Sequence, residues 1–333
     1  MNSNVIPLSS PSAGTRAAPR WHFVEYLFWA IPVTAYFLFP DNLVLLSQIA
    51  IMGLFALSLD LILGYAGIVS LGHAAFFGVG AYTAGLLASR GLGDPLLGLL
   101  AAVAVTATLG LLTSFFVLRG KDLTRLMVTM GLGMMLYETA NKMTGLTGGV
   151  DGLQGIVMQP LLRRFAFDMF GTTGYVYSIA TLFILFVAAR ILVHSPFGTS
   201  LKGIRGNATR MPALGVNVNR RLCAVYVVGA VYAGIAGALL AQTTQYVTID
   251  VLSFARSADV LLVLILGGIG TLYGPLVGAV IFTIAHHYLS EIDPQYWQFW
   301  LGVILLVMVL FARGGLIGLL QRLQARAQGR KTP

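Results

Sequence analysis

Few residues in this chain can do chemistry, and most of those stand inside long apolar runs. Asp60, His73, Glu138, Asp259 and the adjacent pair His286 and His287 are the ionisable groups in such settings. A charge in a hydrocarbon setting is expensive, so each is a functional candidate by default. Asp60 stands just before a glycine-rich interruption, where a carboxylate can cap or orient unwound backbone. That role is preferred to a proton relay, because a proton-coupled carrier would show more buried ionisable groups. Glu138 precedes Lys142 by four residues, the order that favours a simple ion pair on a helix. His73 reads as a neutral, hydrogen-bonded packing residue. His286 and His287 would point about 100° apart on a helix and so do not converge on one metal ion. No Cys/His spacing resembles a metal site. The single Cys223 cannot form an internal disulfide and reads as a small core residue.

The elements that must position these groups follow from composition. The chain has 333 residues, of which 57% are hydrophobic and 10% charged, with mean hydropathy +0.83. Soluble domains carry about 25% charged residues. The fold class is therefore an all-α polytopic membrane protein with about eight to ten spans and glycine-rich broken helices, since backbone in lipid must satisfy its own hydrogen bonds. A β-barrel needs short alternating strands and is rejected for continuous apolar runs. The net charge of +9 does not indicate nucleic acid, because the Lys and Arg sit in loops and tails.

Predicted spans cover 21–39, 43–63, 71–88, 96–118, 126–142, 174–192 and 222–242. An apolar region, 258–289, is split by glycines into two short halves, and the last span is 296–312. Residues 1–20 are expected to be a disordered cytoplasmic tail. Residues 21–312 form the transmembrane domain, and 313–333 a basic cytoplasmic tail. In that tail 316–323 spaces its apolar residues amphipathically, as a helix lying on the membrane surface would. The interval 194–221, HSPFGTSLKGIRGNATRMPALGVNVNRR, is the organising loop. It carries Lys202, Arg205, Arg210, Arg220 and Arg221 and no acid, which places it in the cytoplasm. With ten spans and both termini inside, five of the 21 Lys and Arg fall outside (Arg90, Lys142, Arg163, Arg164 and Arg256) and sixteen inside. The topology is thus self-consistent.

The 39 glycines concentrate at 64–82, 144–155 and 266–279. Two uses compete: close helix packing through small-xxx-small spacing, and unwound backbone at a transport pathway. On the second reading Asp60, Gly64, Gly67, Ser70, Gly72 and His73, with Gly148, Gly149, Gly267, Gly268 and Gly270, are pathway or hinge candidates. Gly67-Ile68-x-Ser70-Leu71 and Gly268-Ile269-x-Thr271-Leu272 share a pattern that suggests an internal repeat.

LGYAGIVSLGHAAFFGVGAYTAGLL, TGGVDGL, SPFGTSLKGIR, ALGVNV and LGGIGTLYGPLVGA, in that order over about 43–315, resemble the permease subunit of branched-chain amino acid ABC importers of the LivM type. The resemblance implies a membrane core of this chain and a second related permease. It also implies two cytoplasmic ATPase subunits that use ATP and Mg, and a periplasmic substrate-binding protein. Segment 194–221 then holds the ATPase-contacting residues, Arg205, Pro212, Ala213, Leu214 and Gly215. Pro212 suits a first helical turn and Gly215 a sharp exit. Relatives usually carry acids between the positions of Arg205 and Ala213; here Gly206 to Pro212 include none. The chain lacks a Gly-x-x-x-x-Gly-Lys-Ser/Thr phosphate loop, so ATP hydrolysis falls to the partners. The expected function is transport without covalent chemistry and with no cofactor bound directly: inward movement of a branched-chain or related small apolar amino acid across the bacterial inner membrane. Relatives that carry urea, amides or aromatic acids leave the substrate open. The alternatives are an ion-coupled secondary carrier dependent on Asp60 or Asp259, and a passive channel.

Overall fold

The computed structural model describes residues 23–120, 122–161, 164–168, 170–311 and 315. The tail 1–20, Arg163 and, apart from Gly315, the tail 313–333 with its amphipathic stretch lie outside the described residues.

Among the described residues ten helices have 14 to 27 residues. They are α1 (Phe23–Leu38), α2 (Leu43–Leu59), α3 (Ala74–Ser89), α4 (Pro95–Val117), α5 (Asp122–Lys142), α7 (Thr172–His194), α9 (Val218–Thr244), α10 (Phe254–Gly267), α11 (Gly274–Ile292) and α12 (Trp297–Phe311). Two short helices, α6 (Thr144–Thr147) and α8 (Pro196–Gly206), lie between them. Among the described residues four long helical stretches meet the length and apolarity of a membrane crossing on their own: Pro40–Tyr65, α4, α7 and α9. Among the described residues there are no strands, only isolated bridges at Leu153–Val247 and Leu161–Phe165.

Local chemistry explains where helices start. Asp94 Oδ1 accepts the Leu96 N–H at 2.9 Å ahead of Pro95. Asn217 Oδ1 accepts the Arg220 N–H, and Ser253 Oγ the Arg256 N–H, both at 3.2 Å. Each is a side-chain cap satisfying an orphan amide of the first turn. The region 143–173, which falls between the predicted spans 126–142 and 174–192, is more ordered than a plain connecting loop. It holds α6, a 3-10 turn Gly149–Asp151 and the Leu153 bridge to Val247. Polar backbone packed over the bundle had to find partners, and segment 243–257 supplies them.

α2 and α9 form the buried centre, with α3, α4, α7 and α11 packed around them. The bundle's outer faces are apolar and exposed, as at Leu100, Phe116, Met127, Ile184 and Ile191. Such faces suit lipid rather than water. Glycine lets α3 and α9 approach closely: a Cβ on Gly80 would meet the Gly234 backbone, and one on Gly237 the Phe77 carbonyl. Within α3, packing is therefore the use to which glycine is put.

The Glu138–Lys142 pair expected from spacing does not form. Among the described residues the ion pairs are Arg190–Glu25 at 2.7 Å and His287–Glu291 at 3.4 Å. Glu138 and Lys142 are both exposed, where an i, i+4 pair gains only about 0.3–0.5 kcal/mol against side-chain entropy.

Gly80→Val should lower the thermal unfolding midpoint of the purified protein in detergent, corresponding to about 1–3 kcal/mol of overpacking. Gly131→Ala, in the interior of α5 with nothing within 4 Å of an added Cβ, should not lower that midpoint, since alanine is favoured over glycine in a helix interior by about 0.5–1 kcal/mol.

Candidate functional site

The first and third glycine-rich stretches meet. α2 continues into a wider π-type turn, Asp60–Tyr65, so the helix ends later than 63. Gly67, at φ 73°, then turns the chain out of the helix. The Gly67 N–H bonds the Leu63 carbonyl and the Ile68 N–H the Ile62 carbonyl, both at 3.1 Å, a left-handed helix termination. Non-helical backbone, with a bend at Leu71 and a turn at His73, follows until α3 begins at Ala74. The other break lies between α10 and α11. Gly268 at φ 116° and Gly270 at φ 81° occupy backbone regions that side chains rarely adopt. Thr271 Oγ1 donates to the Gly268 carbonyl at 2.8 Å.

Asp60 joins the two. Its side chain is fully buried, and Oδ1 accepts the Gly270 N–H at 2.6 Å. Oδ2 has no hydrogen-bond partner. Asp60 was expected to orient the unwound segment beside it; it instead holds the other one. Gly64 makes this approach possible, because a Cβ there would fall on the Asp60 carboxylate and the Gly270 nitrogen.

Arg205, on α8, closes the cluster. Its Nη1 donates to the Gly64 carbonyl and lies against Gly270, while its aliphatic stem covers Gly67. Beside it, Lys202 Nζ sits 5.4 Å from the Tyr65 ring centroid, a cation–π distance. One cationic side chain of segment 194–221 thus touches both breaks.

The remaining candidates lie at varying distance from this cluster. His73 Nε2 is 2.8 Å from Ser58 Oγ, and its ring stacks on Phe55 at 5.6 Å, the packing environment expected. Ser70 is buried with its hydroxyl unpartnered. A Cβ on Gly72 would meet the Thr129 carbonyl of α5, and one on Gly267 the Gly274 carbonyl. Gly148 and Gly149, by contrast, contact Gly152, Thr144 and Asn141 and do not join the cluster. Pro212, Ala213 and Leu214 form a 3-10 turn, Met211–Leu214, left through Gly215 at φ 77°. Leu214 is 74% exposed at its tip. Cys223 Sγ is 3.2 Å from Ser114 Oγ. His286 packs edge-on against Trp297 at 4.4 Å.

Sequence reasoning missed one buried group. Arg190 of α7 pairs with Glu25 of α1 and donates to the Tyr273 hydroxyl at 3.3 Å, beside the second break. Two opposite charges in separate apolar runs were the available signal.

Taken together, these features define a polytopic membrane protein with two interrupted helices clamped by one polar cluster. The chain belongs to the family described as branched-chain amino acid transport system / permease component, which it matches over residues 43–312. It is 28% identical over 288 residues to the high-affinity branched-chain amino acid transport system permease protein LivM of Escherichia coli, covering 78% of this chain and 66% of that protein. It is 24% identical over 286 residues to the permease protein BraD of Pseudomonas aeruginosa, covering 80% and 91%. It is also 26% identical over 211 residues to the galactose/methyl galactoside import permease protein MglC of Haemophilus influenzae, covering 60% and 61%. The chain thus spans just under two thirds of the length of the LivM proteins it matches. No solved structure matches it.

Replacing Asp60 by Leu should leave the buried Gly270 N–H unsatisfied and destabilise the protein by about 1–3 kcal/mol. Asp60→Asn keeps an acceptor and should recover most of that loss. Thermal unfolding of the two variants in detergent measures the difference.

Proposed function

We propose that this chain is a permease subunit of an ATP-driven ABC importer for branched-chain or related small apolar amino acids in the bacterial inner membrane. A second related permease completes the core. Two ATPase subunits hydrolyse ATP with Mg on the cytoplasmic side, where segment 194–221 and both termini lie, and a periplasmic binding protein delivers substrate. The observation that carries the reading is Arg205, which ties the cationic segment to both interrupted helices. Movement of α8, docked on an ATPase, would draw on the Gly64 carbonyl one turn from the Asp60–Gly270 bond. Such a bond between a rigid short helix and a bistable pair of breaks lets a small displacement become a change of state.

The turn at 211–215 presents an exposed apolar tip, Leu214, to the same partner. Its exit needs Gly215 at a positive φ. Proline, fixed near −65°, cannot follow that path.

Reconstitution with the neighbouring gene products tests this. ATP-dependent uptake of L-leucine should require all components, and the chain alone under an ion gradient should transport nothing. Arg205→Met should preserve assembly and ATP hydrolysis while slowing uptake about tenfold or more, the scale of one charge-assisted hydrogen bond. Gly215→Pro should likewise fold but uncouple. Uptake by the lone chain, or wild-type uptake in both variants, would refute the reading.

A further inference from the structure

A groove of about 780 Å³ lies between α4 and α9 on the outside of the bundle. The helices touch at Gly110, where a Cβ would meet Ala230 at 2.7 Å. They touch again at Ser114, whose Oγ is 3.2 Å from Cys223 Sγ. Over these contacts runs an apolar channel of Leu111 and Phe115 from α4 and Ala224 and Val227 from α9. The spacing of each pair, three or four residues, puts it on one face of its helix. At the other end of the groove stand Arg119, Asn219 and Arg220. Along α9 the step from Val227 to Arg220 is roughly 10 Å.

The charge at that end is unmatched. Nearby cations are already engaged by the protein. Arg221 lies over the Phe197 ring at 5.2 Å, and Arg125 Nε donates to the Gly120 carbonyl at 3.2 Å. Arg119 and Arg220 are exposed, and neither side chain has an ion pair or hydrogen bond among the described residues. Among those residues no carboxylate lines the groove. An occupant must therefore bring an anionic group to one end and hydrocarbon to the other. A small soluble anion would leave the channel empty, and a neutral apolar chain would leave both guanidinium groups unmet. Two guanidinium forks suit a phosphate, which they can grip with paired hydrogen bonds. Both helices are long and apolar enough to cross a membrane, and basic pockets between such helices are where anionic headgroups bind. We infer that this groove is a binding site for an anionic phospholipid. Its phosphate sits on Arg119 and Arg220, and one acyl chain runs along Leu111, Phe115, Ala224 and Val227.

The assignment of this end to the cytoplasmic leaflet rests on the permease reading; the site itself does not. Arg220 stands five residues beyond Gly215, the exit of the 211–215 turn, and in the first turn of α9. Bound lipid thus anchors the point at which the cationic segment enters the membrane.

The test uses the full chain purified in detergent, and the same chain co-purified with the neighbouring gene products. Binding of palmitoyl-oleoyl phosphatidylglycerol and of the matching phosphatidylcholine is titrated by native mass spectrometry. The expected result is one phosphatidylglycerol site in both preparations, preferred over phosphatidylcholine about tenfold or more. Excess glycerol 3-phosphate, which has the phosphate without the chains, should not displace it. Arg119→Gln and Arg220→Gln should each weaken binding about fivefold. Arg221→Gln removes the same charge outside the groove and should leave binding unchanged. Ala224→Trp fills the channel from an exposed position and should weaken binding with both cations in place. Circular dichroism and gel filtration check the fold of each variant; where an arginine variant does not fold, Ala224→Trp decides. Equal affinity for the two lipids, or displacement by glycerol 3-phosphate, overturns the inference. So does equal weakening by Arg221→Gln, or unchanged binding in the folded groove variants. Loss of the site in the co-purified assembly also overturns it and gives the groove to a protein partner. Uptake of L-leucine is read separately, and its absence beside intact lipid binding would count against the importer alone.

Discussion

The structure depends on how two stretches of non-helical backbone are satisfied inside an apolar bundle. Lipid offers no hydrogen bonds, so an interrupted helix survives there only if protein groups take over its freed amides and carbonyls. Asp60 takes one amide, that of Gly270, and Arg205 takes one carbonyl, that of Gly64. Each group comes from outside the break it serves. The breaks therefore cannot be understood singly: α2 needs α8, and the α10–α11 turn needs α2.

Those pairings constrain the glycines more than flexibility does. Gly64 is required because carboxylate and amide crowd its α-carbon, and Gly268 because its φ of 116° excludes side chains. Gly80 and Gly237 serve plain helix contact. The two competing uses of glycine are therefore both present within 64–82, divided by position: unwound backbone up to Gly72, packing from Ala74 onward.

The class of fold, the order of the helices and the cationic segment were legible in the sequence, because apolar run length and the placement of Lys and Arg are one-dimensional properties. The start of α4 at Pro95 falls within a residue of the predicted 96, whereas α10 begins at Phe254, ahead of the predicted 258, because the Ser253 cap extends the helix into a polar stretch. Contacts between distant segments were not legible. Nothing in the sequence pairs Asp60 with Gly270, 210 residues away, or Arg190 with Glu25. Arg205 stood out as one of several cations in 194–221, but its position on Gly64 depends on how α8 folds back beneath α2. The Glu138–Lys142 expectation failed for the opposite reason, since spacing alone cannot hold two exposed side chains together.

The arrangement separates holding from yielding. The α3–α9 contact and the Arg190–Glu25 pair are built from close packing and a buried ion pair, interactions that tolerate little displacement. The Asp60 cluster instead rests on a few polar bonds between segments of irregular backbone, one carboxylate oxygen of which is unused. Polar bonds of this kind can exchange partners with small movements, whereas interdigitated side chains cannot. The adjustable contacts of the bundle gather where Arg205 of α8 reaches both breaks. The cation that reaches both breaks is then a better guide to how they are joined than the glycines themselves.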